Sequence, residues 1–104
     1  MEFRQAVDQS IEIRKAYHKL EEMHHGSRWS VQEDALAFLT DAARVGRLTM
    51  AREERWPMGN NPESELTHKV GESIWWLIVL AERMGIDSND ALESFLEKKK
   101  SDFL

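Results

Sequence analysis

The run Ile74-Trp75-Trp76-Leu77-Ile78-Val79-Leu80 constrains this chain more than any other stretch of it. Around it Leu66, Val70, Ile74, Leu77, Ala81 and Met84 recur every three or four residues, so the period is helical. The run is nevertheless apolar on every face, and a helix of that kind needs cover all round. A chain of 104 residues amounts to one domain, with few other helices to supply that cover. The sequence therefore predicts a single helical domain, residues 1 to 104, that associates with its own copies. A bilayer span takes about 20 apolar residues, so this run is too short to be one.

The other helices follow from periodicity and punctuation. Phe3, Val7, Ile11, Tyr17, Leu20 and Met23 mark an amphipathic first helix that ends at His24-His25-Gly26, where glycine suits a left-handed cap. Ser30 with Glu33 is a capping-box pattern opening a second helix, carried by Val31, Ala35, Leu36, Phe38, Leu39, Ala42, Val45 and Leu48. Gly46 inside it suggests a close backbone approach. Trp56 to Pro62 collects nearly all the strong breakers and must be a loop, with Asn61 and Pro62 opening the third helix. Gly85-Ile86 stops that helix, and Asp87 or Ser88 caps a fourth in which Ala91, Leu92, Phe95 and Leu96 are expected to face inward. The fold class expected is all-α, a bundle of about four helices near residues 2 to 25, 31 to 54, 62 to 84 and 88 to 100. Dimerisation is expected through the third helix, with Trp75 and Trp76 at its interface because adjacent residues point about 100° apart and cannot share one core seam. A homodimer, or a dimer of dimers, is the partner expected.

Several chemistries are excluded early. With no cysteine there are no disulfides, no thiol nucleophile and no thiolate metal site. A formal charge of -5 without a basic, aromatic-interleaved patch argues against DNA or RNA as partner. The charged N-terminus lacks a signal-peptide core, and with no membrane span the chain reads as soluble and cytoplasmic. His24-His25 beside Glu21-Glu22 reads as a solvated helix end rather than a metal site, and Lys98 to Lys100 as a solvated helix terminus. Trp29 and Trp56 lie in or beside loops, where a flat ring can anchor the loop or stack a base.

Ala35-Leu36-Ala37-Phe38-Leu39-Thr40-Asp41-Ala42-Ala43-Arg44-Val45-Gly46-Arg47-Leu48, followed by Lys69-Val70-Gly71-Glu72-Ser73-Ile74-Trp75-Trp76 and on to Gly85-Ile86-Asp87, resembles the MazG-like all-α nucleoside triphosphate pyrophosphohydrolases. The resemblance covers roughly residues 10 to 100. In that family Glu-Glu-x-x-Glu on one helix and Glu-x-x-Asp on the next hold magnesium, which activates water to cleave a nucleoside triphosphate into monophosphate and pyrophosphate. Acids at i and i+3 or i+4 share a helical face, and two such helices can surround a hard cation with oxygens.

In this chain the first motif falls on Thr40, Asp41 and Arg44 and the second on Lys69 and Glu72. Only Asp41 and Glu72 remain as metal-ligating acids, and Thr40, Arg44 and Lys69 are substituted, so the five positions carry no net charge. Shifting the register onto Glu33, Asp34, Glu63 and Glu65 would break the match at Trp75-Trp76. Asp41 with Arg44 and Lys69 with Glu72 stand at i, i+3 and are expected to form ion pairs. The resemblance thus implies a nucleotide-binding or regulatory homodimer whose magnesium site is degenerate and whose triphosphate cleavage is weak or lost. The alternatives are an active magnesium-dependent pyrophosphohydrolase of the house-cleaning type and a purely structural helical interaction module.

Overall fold

The computed structural model describes residues 1–104 as four helices and no strand: α1 (Phe3–His25), α2 (Val31–Arg52), α3 (Glu63–Arg83) and α4 (Ser88–Phe103). Their ends are set by local chemistry. Ser30 accepts a hydrogen bond from the Glu33 backbone N–H while Glu33 reaches back to the Ser30 N–H, closing the capping box that starts α2. Asn61 accepts from the Glu63 N–H at the start of α3, and Asp87 from the Asp90 N–H at the start of α4. Gly26 and Gly85 stop α1 and α3 at φ values of 75° and 74°, in the left-handed region that glycine enters without a Cβ clash.

The main packing seam runs between α2 and α3, with α1 laid across α3 and α4 touching both α1 and α3. At its heart lie Leu48, Ala51, Trp76, Ile78, Val79 and Leu80, joined by Val7 from α1. Gly46 faces open space, with nothing within 4 Å of where a Cβ would stand, so the close approach expected there does not occur within the chain.

The inward faces differ from those the apolar stripes suggest. On α1 the buried line is Val7, Ser10, Arg14 and His18, while Tyr17, Leu20 and Met23 face out. On α3 the stripe Val70, Ile74, Leu77 and Met84 is exposed and the indole of Trp76 turns inward. Leu36 and Leu39 on α2 are exposed, as are Ala91, Leu92, Phe95 and Leu96 on α4, which buries no residue at all. On α1 the physical reason is that its polar edge reaches a carboxylate on α2 through Arg14 and Asp34, which turns its apolar edge toward solvent; on α4 the inward face expected finds too few neighbours to bury it.

The molecule is correspondingly open. Its radius of gyration is 16.4 Å, against about 13 Å for a compact chain of this length. Its accessible surface is 7746 Å², where about 6,000 Å² is usual for a monomer of 12.1 kDa. No helix is long and apolar enough to cross a membrane.

Candidate functional site

Helices α2 and α3 bring four of the five motif positions to one seam. Asp41 projects from α2, and Lys69 and Glu72 from α3. The Lys69 ammonium donates to Asp41 Oδ1 at 3.0 Å and to Glu72 Oε1 at 2.9 Å, so it stands between the two carboxylates. Glu72 and Asp41 together hold the Lys69 pKa above its usual value. Asp41 is further committed through Oδ2, which accepts from Trp76 Nε1 at 2.9 Å. Arg44 reaches across to Glu65 with two parallel hydrogen bonds of 2.7 and 2.8 Å. Thr40 is exposed and its hydroxyl donates to the Leu36 carbonyl of its own helix.

Of the two ion pairs expected along single helices, Lys69 with Glu72 forms and Asp41 with Arg44 does not. Packing decides this: Asp41 is saturated by α3 donors, and a planar guanidinium gains more from the two-pronged fit on Glu65. The donor set does not suit magnesium. A cation already fills the space between the two acids, and nowhere does the chain gather three or more His, Asp or Glu side chains able to hold a metal ion.

A second cluster joins α1 to α2 and α3. Asp34 is wholly buried and accepts from Arg14 Nε and Nη2 at 3.3 and 2.7 Å and from Arg83 Nη1 at 2.7 Å. Arg14 Nη1 donates to Glu21 at 2.6 Å, and Glu21 also accepts the Trp29 N–H at 2.8 Å and lies 3.0 Å from His18 Nδ1. The Trp29 carbonyl in turn accepts from Arg83. Sequence reading misses this cluster because every member is charged or polar. The available signal is that Ser10, Arg14 and His18 continue one helical stripe with Val7.

Burial by itself raises the Glu21 pKa, but the hydrogen bonds from Arg14, the Trp29 N–H and His18 outweigh it and hold the group down to about 2. A carboxylate depressed in the folded state adds stability that is present in full above its unfolded pKa and disappears as pH falls through the folded value. We expect the urea midpoint to decline between about pH 4.5 and pH 2, and Glu21→Gln to flatten that decline. Equal acid sensitivity in parent and variant would remove Glu21 from this role.

Beside the cluster opens a cleft of about 310 Å³ walled by Tyr17, Trp29, Trp75 and Trp76, with Glu21 and Glu72 at its edges. The Arg14 guanidinium lies 5.9 Å from the Trp29 ring and 5.5 Å from that of Trp76. Trp75 meets Tyr17 at 5.9 Å and Trp76 edge-on at 4.7 Å, and its Nε1 is buried without a hydrogen-bond partner. Trp29 thus anchors its loop by its backbone while offering its ring to the cleft. Trp56 lies elsewhere: it is exposed, and its ring stacks at 4.4 Å on Arg47, which also donates to its carbonyl. His24 and His25 are exposed at the cleft rim. Neither a family model, nor a curated protein, nor a solved structure matches this chain.

Proposed function

We propose that this chain is a MazG-like helical protein that has exchanged its divalent metal for an internal lysine and acts as a nucleotide-binding or regulatory homodimer without efficient triphosphate cleavage. The observation that carries the reading is the Lys69 ammonium, 3.0 and 2.9 Å from Asp41 and Glu72, the two acids that the motif register retains. A lysine in that position offsets one of the two negative charges and occupies the place a metal would take, without supplying the field that would activate a water.

The aromatic cleft supports the nucleotide half of the reading. Tyr17, Trp29 and Trp75 offer ring faces for a flat heterocycle. Trp56 takes no part in such a site. The homodimer is supported by the exposed stripe Val70, Ile74 and Leu77 on α3 and by the surface in excess of a compact monomer.

Pyrophosphate release from a panel of nucleoside triphosphates with magnesium should be absent, while a nucleotide should raise the melting temperature. Turnover would favour an active pyrophosphohydrolase instead, and neither turnover nor a shift would leave a structural interaction module. A direct check on the lysine is the double variant Arg44→Glu with Lys69→Glu. It restores two acids and places a new carboxylate near Glu65, so it should be less stable than the parent without metal. Magnesium at tenfold its Kd should then stabilise the variant by about 1.4 kcal/mol, several degrees of melting temperature, and leave the parent unchanged. Magnesium stabilising the parent equally would contradict the proposed exchange.

A further inference from the structure

The polar stripe of α1 has two flanks. Tyr17, Leu20 and Glu21 on one side of Arg14 wall the aromatic cleft, whereas Ile11, Lys15 and His18 on the other side face a second cavity, closed by Arg28 and by Val79, Glu82 and Arg83 of α3. This second cavity holds about 290 Å³, near the lower end of small-ligand sites. Four cationic side chains line it against one carboxylate, in a chain whose formal charge is -5.

What distinguishes the cavity is its surplus of positioned donors. Arg83 commits Nη1 to Asp34 and to the Trp29 carbonyl, which locks the guanidinium and leaves Nε and Nη2 unspent. Arg14 is locked in the same way by Asp34 and Glu21 and is almost fully buried. Arg28 uses only Nε, on Glu22 at the rim, so both of its terminal nitrogens stay free. Lys15 is exposed and joins none of the ion pairs. His18 is buried and engages Glu21 through Nδ1, leaving Nε2 available. The one lining acid, Glu82, turns Oε1 toward Ser88, at 3.4 Å from its N–H and 3.3 Å from its hydroxyl.

Asp34 and Glu21 balance the charge of the two locked arginines, so their contribution is geometry rather than field. Lys15 and Arg28 supply charge that no buried acid cancels. The held fork of Arg83, with Nε and Nη2 free, stands beside the free terminal nitrogens of Arg28 and the Lys15 ammonium. This is an arrangement that recognises a tetrahedral oxyanion, because a guanidinium edge can meet two oxygens, while the fully committed Arg14 only braces the wall. We propose that this cavity binds a phosphate-type oxyanion, either free or as the terminal group of a small phosphorylated ligand. The site is separate from the Asp41–Lys69–Glu72 seam and needs no metal, and it does not depend on the nucleotide reading.

The test is titration calorimetry of the full chain, free of magnesium and at low ionic strength, with inorganic phosphate and with pyrophosphate as probes. Saturable binding of at least one probe is expected, weakened at least tenfold in Lys15→Ala/Arg28→Ala and in part by Lys15→Gln alone. Both positions are exposed, so these variants should keep the parent's helical circular dichroism. Lys69→Ala should bind as the parent does. Absence of saturable binding overturns the proposal, as does equal affinity in the double alanine variant, or loss of binding in Lys69→Ala alone. A nucleoside without phosphate probes the aromatic cleft instead, so failure there is distinguishable from failure here.

Discussion

Asp34→Ala is expected to destabilise the protein by about 3–5 kcal/mol, a large share of the 5–15 kcal/mol typical of a whole domain. Asp34 has no exposed surface and holds Arg14 and Arg83 together. Removing it leaves the buried Arg14 guanidinium with Glu21 as its only ionic partner and frees Arg83 from α2. The cost comes mainly from unbalanced charge, since two guanidiniums then remain against the one carboxylate of Glu21, and removing one partner of a buried pair costs far more than replacing the whole pair. Urea unfolding at fixed protein concentration measures it, and a loss below about 1 kcal/mol would mean that water or a rotated α1 takes over the role of Asp34.

The largest effect on assembly is expected from Ile74→Asp with Leu77→Asp. Both side chains are about half exposed on α3, at 52% and 53%, and lie along the stripe with Val70. The accessible surface of one chain exceeds that of a compact monomer by about 1,700 Å², more than the roughly 800 Å² per partner of a standard interface. A second copy seated on this stripe would cover it symmetrically. Sedimentation of the parent should give a dimer or higher assembly at micromolar concentration, and the double aspartate should give a monomer, with a marked fall in melting temperature since folding and association are linked. A parent that sediments as a monomer would sink the self-association reading. An unaffected dimer in the variant would move the interface to another face, with Tyr17 and Leu20 of α1 the next exposed apolar edge.

The helix limits were legible in the chain because their causes are local. Ser30 and Glu33 cap α2 through atoms three residues apart, Gly26 and Gly85 stop helices by their own φ values, and the breakers from Trp56 to Pro62 act where they stand. Periodicity likewise marks α1 and α3 as helices whichever way they are turned. It cannot say which of two competing stripes faces inward. On α1 an apolar edge, Tyr17 and Leu20, competes with a polar one, Ser10, Arg14 and His18, and the polar one is buried because Asp34 waits on a helix 20 residues away in sequence.

The candidate site divides in the same way. Spacing along the chain sufficed to single out Asp41, Lys69 and Glu72 as candidate positions, with a cation among the acids. That Lys69 stands between both acids, that Trp76 donates to Asp41, and that Arg44 prefers Glu65 to its helical neighbour are matters of distance between α2 and α3. The two clefts on either flank of Arg14 were invisible for the same reason. Hydrogen bonds and ion pairs act over about 3 Å, and residues far apart in the chain come within that range only once helices have packed, which no local pattern encodes.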